Sequence, residues 1–261
     1  METFLLQKLP SPVLALAMVV VATGLAVGGL ALVRRRFGGQ VLVEHREVAG
    51  YVFAVVGALY GVLLAFVVVV VWEQLEEARS AATEEAAVVE VLHRNVQALG
   101  ERGVAVQQGI VAYAEAVAGP EWTAMADDQD ESPAADAASE RLWSAIYAVE
   151  PQGAAEASIF DRTVGQLDDL TALRRERLLD SRARVPGGVW GVLLVGAALC
   201  VGFAFFTGVA SFRVHAMLAG ALAATIALAL FLVLSIDLPF TGDMGIEPEA
   251  MAQVVSEMRA D

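Results

Sequence analysis

Residues 48–99 read VAGYVFAVVGALYGVLLAFVVVVVWEQLEEARSAATEEAAVVEVLHRNVQAL. Val48–Val71 contains no Lys, Arg, Asp or Glu, and at about 1.5 Å per residue it is long enough to cross ~30 Å of hydrocarbon. From Trp72 onward the composition changes. Glu and Arg now separate Ala81, Val88, Leu92, Val96 and Leu99, which recur at helical spacing. No Pro or Gly interrupts Val62–Leu99. The stretch therefore predicts a single helix that spans a bilayer and runs on outside it, ended by Gly100 and Gly103.

Three further runs lack charge and have spanning length: Val13–Val33, Val189–Ala210 and Val214–Ile236. The first is expected to stay in the membrane. Its apolar run exceeds a signal-peptide core, only Lys8 precedes it, and Arg34-Arg35-Arg36 follows it like a stop-transfer flank. Hydrophobic residues make up 57% of the chain, and mean hydropathy is +0.61. Both exceed what a soluble core needs.

The lobe between the second and third spans also reads as helical. Val104–Val117 forms one helix before Gly119-Pro120, Ala135–Val149 another before Pro151, and Ala154–Arg184 a third before Pro186. The fold class is thus all-α, four transmembrane helices with a helical lobe inserted between the second and third spans. The expected segments are 1–71 with two spans, 72–188 as the acidic lobe, 189–236 with two spans, and 237–261 as an acidic tail.

Charge narrows the function. The net charge is −14, and no basic stripe exists to track phosphates, so nucleic acid is not an expected partner. The lipid bilayer is. Enzyme chemistry finds no support: there is no Gly-rich phosphate loop, no paired-cysteine metal box and no nucleophile elbow. His45, His93 and His215 have no ligand spacing; His93 reads as a helix-surface residue, and the other two flank spans. Asp127–Pro133 lacks the Gly and closing Glu of an EF-hand at the proper spacing and reads as a solvated loop. Cys200, the single cysteine, reads as a small packing residue.

Within the second span, Gly57, Gly61 and Ala65 form a small-residue ridge that lets another helix approach. Ala58, Val62 and Phe66 fall on an adjoining face at four-residue steps. Spans without charge cannot relay protons, but an apolar face can form a constriction that gates by dewetting. A pore would then need several copies.

Two segments resemble a known family. Leu63-Leu64-Ala65-Phe66-Val67-Val68 followed by Trp72-Glu73-Gln74-Leu75-Glu76 looks like the second-helix signature of the bestrophins. Asp237-Leu238-Pro239-Phe240-Thr241-Gly242-Asp243 is similar to the Pro-Phe-Gly-acidic segment after their last span. From Arg46 onward, with Arg174-Arg175-Glu176-Arg177-Leu178 included, the chain resembles the bacterial bestrophin-like membrane proteins. That resemblance implies a multi-pass protein of the bacterial plasma (inner) membrane. The wider one implies a homo-oligomeric, pentameric anion channel whose apolar neck is lined by the second span. Carried onto this sequence, Phe66 matches a neck phenylalanine, with Val62 and Ala58 one and two turns earlier and smaller than the family's residues. In animal bestrophins the acidic residues after Pro-Phe-Gly clasp calcium. Here Thr241 is inserted, Asp237 and Asp243 lie close by, and Glu247 and Glu249 are farther on. A hard cation wants six to eight oxygens, so no cofactor is expected and calcium is the one metal worth testing.

Orientation leans to cytoplasmic short loops, against two opposing signals. Arg34, Arg35, Arg36, Arg46 and Arg213 put the short loops 34–47 and 211–213 in the cytoplasm by the positive-inside rule. The Arg174–Arg184 cluster and the bestrophin resemblance both favour a cytoplasmic lobe instead. Two functional readings follow: an oligomeric anion channel, or a non-conducting membrane scaffold or sensor that acts through its lobe.

Overall fold

A computed structural model describes residues 10–37, 46–127 and 132–260. Lys8, His45 and the acidic stretch 128–131 lie outside the described residues. The helices are α1 (Ser11–Phe37), α2 (Arg46–Gln97), α3 (Val104–Ala116), α4 (Trp122–Ala126), α5 (Pro133–Tyr147), α6 (Ala154–Asp180), α7 (Gly187–Ala204), α8 (Phe212–Ile236) and α9 (Glu249–Met258). A 3₁₀ turn at Gly100–Gly103 and a π turn at Val117–Glu121 join the early lobe helices. The described residues contain no strand. Helices α1, α2, α7 and α8 are each long and apolar enough to cross a membrane.

The expected long second helix is continuous over 52 residues. It stops where Gly100 adopts a φ of 58°, which L side chains rarely tolerate. The third span is shorter than the apolar run suggested. It ends at Ala204, and Phe205–Ser211 forms a turn instead.

The chain divides into two compact units: Met1–Glu73 with Arg184–Asp237, and Gln74–Ala183 with Leu238–Asp261. In the membrane unit, Tyr60 of α2, Leu193 and Cys200 of α7, and Ile226 and Leu230 of α8 form the buried core. Cys200 is buried and free, in keeping with its reading as a packer. Helix α1 lies against α8, where Gly220 leaves room for Thr23: a Cβ there would stand 3.2 Å from Thr23 Cγ2. Gly196 of α7 accepts the ring of Tyr60, and a Cβ would sit 2.6 Å from it.

Polar side chains finish the end of this unit where α1 and α7 stop and α8 begins. Arg34 at the end of α1 donates to the carbonyls of Val209 and Ala210, at 3.2 and 2.9 Å. His215 is buried, with Nε2 3.0 Å from the Ala204 carbonyl at the end of α7. It shares the Ala204 carbonyl with the Thr207 hydroxyl, instead of lying free at an interface.

The lobe packs α2 from Leu75 to Leu99 against α3, α5 and α6. Its core holds Val89, Leu92, Ile110, Leu142, Ile146, Leu167 and Leu170. His93, read from the sequence as a surface residue, is buried at 8% exposure. The apolar stripe of α2 is wider than its spacing alone suggested. Ser132 caps α5 through the Ala135 N–H, with Pro133 at the first helical position. Helix α9 lays Met251, Val254 and Met258 inward and pairs Arg259 with Glu115 at 2.6 Å.

Candidate functional site

The second span has two unlike sides. Phe53, Val56, Tyr60, Leu64, Val67 and Val71 are buried or half-buried within the membrane unit. The other side is open: Ala58 is exposed, Val62 is 57% exposed and Phe66 is 67% exposed. These three residues stand one turn apart on a continuous helix, as the four-residue spacing expects. Gly57 of the small-residue ridge meets only Cys200, whose Sγ would lie 3.9 Å from an added Cβ. Among the described residues nothing outside the helix's own backbone stands within 4 Å of such a Cβ at Gly61, and Ala65 is exposed. The closest helix approaches in one copy occur at Gly29, Gly196 and Gly220 instead. The side carrying Ala58, Val62 and Phe66 is an exposed apolar surface of α2, and Val55 and Leu59 beside it are exposed as well.

The four tail carboxylates have separate surroundings. Asp237 is buried at the end of α8. It accepts from the Val185 backbone N–H at 2.6 Å and from Trp190 Nε1 at 3.5 Å. One carboxylate thus ties the end of α8 to the segment that leads into α7 and to the Trp190 side chain in its first turn. Asp243, Glu247 and Glu249 are exposed. No group of three His, Cys, Asp or Glu side chains able to hold a metal occurs among the described residues.

The Pro-Phe-Thr-Gly segment is built into the lobe. Phe240 meets Trp122 edge to face, with ring centres 5.3 Å apart. The Thr241 hydroxyl donates to the Ala126 carbonyl at 3.1 Å, and Trp122 Nε1 donates to the Ile246 carbonyl at 2.9 Å. Gly242 turns the chain with a φ of 78°. Ile246 N–H then closes back on the Pro239 carbonyl at 2.7 Å. The inserted threonine is therefore a structural hydrogen-bond donor.

Inside the lobe lies a charged network that the sequence did not disclose. Arg177 and Glu85 are fully buried, and Glu121 is 1% exposed. Arg177 Nε donates to Glu85 Oε2 and Nη2 to Glu121 Oε1, each at 2.5 Å. Arg174 grips the same Glu121 and reaches Asp136 at 2.6 Å. Tyr113 donates to Glu85 Oε1 at 2.5 Å, and the Arg177 guanidinium lies 5.3 Å over the Trp122 ring. Charges so deeply buried persist only when paired and hydrogen-bonded. Burial alone would lower the Arg177 pKa, but Glu85 and Glu121 more than offset it and hold the guanidinium charged. Burial, followed by the Glu85 charge, raises the Tyr113 hydroxyl well above its usual range. The sequence clue was Arg174-Arg175-Glu176-Arg177, in which residues 174 and 177 share a helical face.

A bestrophin-like domain model matches residues 20–251. The chain belongs to the bestrophin-like family. Its fold is similar to crystal structures of two mutants of a bacterial bestrophin homologue from Klebsiella pneumoniae. One has a TM-score of 0.73 at 12% identity, covering 95% of this chain and 99% of that one. The other has a TM-score of 0.70 at 13% identity, covering 93% and 99%. No curated protein matches the sequence. Membership makes this a membrane protein related to bestrophin channels, a family not known for enzymes.

Proposed function

We propose that this bestrophin-like chain forms a homo-oligomeric channel, a pentamer, that passes small anions across the bacterial plasma membrane. The observation carrying this reading is the uncovered side of α2, where Ala58, Val62 and Phe66 present an apolar stripe at one-turn intervals. Set around a symmetry axis, that stripe makes a hydrophobic constriction, closed when dewetted. Only Phe66 is bulky, so the narrowest point falls at its level, and the Val62 and Ala58 levels are wider. Fold and family membership support the channel class; selectivity for anions follows the family resemblance.

The test is planar-bilayer recording of purified protein with a measured oligomeric state. Expected are anion-selective currents that rise in Phe66→Ala and fall in Val62→Phe. A verified pentamer without current overturns the proposal, and a cation reversal potential overturns its anion part. A monomer or dimer in mild detergent leaves no room for a central pore and favours the non-conducting scaffold.

A further inference from the structure

Helices α1 and α7 do not close against each other along their length. Between them runs an apolar groove of about 560 Å³, lined by Met18, Val21 and Leu25 of α1, Leu194 and Val201 of α7, and Ile226 of α8. Its rim is exposed to the surroundings: Val21, Leu25 and Leu194 are 59%, 72% and 56% exposed. The groove leads to charge. Arg35 and Arg36 follow the lining residues Ala17 and Met18 by eighteen positions, five turns at about 3.6 residues each. Both arginines therefore extend the groove's own face of α1 to the membrane edge. Leu32, 68% exposed, bridges the gap.

Their neighbour Arg34 donates to the carbonyls of the α7–α8 turn, whereas Arg36 lies 5.9 Å over the Phe37 ring of its own helix. Arg35 and Arg36 are exposed, and neither forms an ion pair among the described residues. From Arg36 back to Leu25 the helix rises roughly 16 Å, close to the depth of one leaflet's hydrocarbon. A phosphate placed at the arginines thus puts an acyl chain into the groove.

We infer that this groove is a binding site for an anionic phospholipid, with its headgroup on Arg35 and Arg36 and one acyl chain between α1 and α7. Charge complementarity selects a lipid over a second copy of the chain. An apolar helix laid in the groove leaves two guanidinium groups unmatched at its end, whereas a phosphodiester meets both. The site does not depend on conduction.

Native mass spectrometry of the full-length protein in neutral detergent tests it, with phosphatidylglycerol and phosphatidylcholine of identical chains as probes. The wild type should retain phosphatidylglycerol preferentially. The double variant Arg35→Gln/Arg36→Gln should lose that preference by on the order of thirty-fold, from two basic groups near a lipid phosphate. Ala198→Trp, which fills the groove, should lower retention of both lipids. An unchanged preference in the double variant overturns the site, as does undiminished retention in a folded Ala198→Trp. Efficient disulfide cross-linking of Leu25→Cys between copies also overturns it, because the groove then holds protein. If Ala198→Trp does not fold, the headgroup comparison alone decides.

Discussion

Replacing Arg177 by Met should destabilise the lobe by about 3–5 kcal/mol, the range for removing one partner of a buried ion pair. The geometry explains the size. Glu85 is fully buried and accepts three hydrogen bonds, two from Arg177 and one from Tyr113. Without Arg177 it keeps only the phenol, and a carboxylate is left in the core with no cation beside it. Glu121 is less affected because Arg174 still holds it. Glu85→Met leaves Arg177 with Glu121 alone and should cost a similar amount. The double variant should cost far less than the sum, since no charge is then stranded at the Glu85 position. Urea unfolding of the full-length protein in mild detergent, run as a double-mutant cycle, measures this directly. Single-variant losses below about 1 kcal/mol, or additive losses, would refute the pairing as the source of the cost.

Three other expectations follow from single contacts. Tyr113 has a raised pKa, so above its ordinary value near 10 the folded state binds more protons than the unfolded state. The stability it contributes is complete below pH 10 and declines as pH rises from there toward the raised value; Tyr113→Phe should flatten that alkaline decline in melting temperature, and an unchanged slope counts against it. Gly196→Ala drives a methyl into the Tyr60 ring and should cost about 1–3 kcal/mol in detergent unfolding, a loss that Tyr60→Leu should largely relieve. Asp237→Ala removes the acceptor for Val185 N–H and should cost about 1–3 kcal/mol, the range for a buried donor that loses its partner. The same melting assay with added calcium tests the tail carboxylates: a calcium-dependent rise abolished by Asp243→Ala would make them a metal site after all.

The four spans, the long continuous second helix and the helical lobe were legible in the residues alone. Those features depend on local quantities: apolar length against bilayer thickness, helical period, and the positions of Pro and Gly. Val48–Leu99 could be read because nothing in it breaks a helix. The residues also placed Ala58, Val62 and Phe66 on one face, since a continuous helix fixes that spacing. Tertiary structure decided which charges are buried. Glu85, Glu121 and Arg177 are separated by 36 and 56 residues, and each alone resembles a solvated surface charge. Only the folded lobe brings them within hydrogen-bond distance, where pairing makes burial tolerable. The tail was resolved in the same way. Asp237 was a candidate ligand until Val185 N–H and the Trp190 indole were seen to be its donors. Thr241 looked like an interruption until Ala126 appeared as its acceptor. Side chains that satisfy distant backbone groups leave no periodic trace in a sequence, because their partners are chosen by the fold and not by their neighbours.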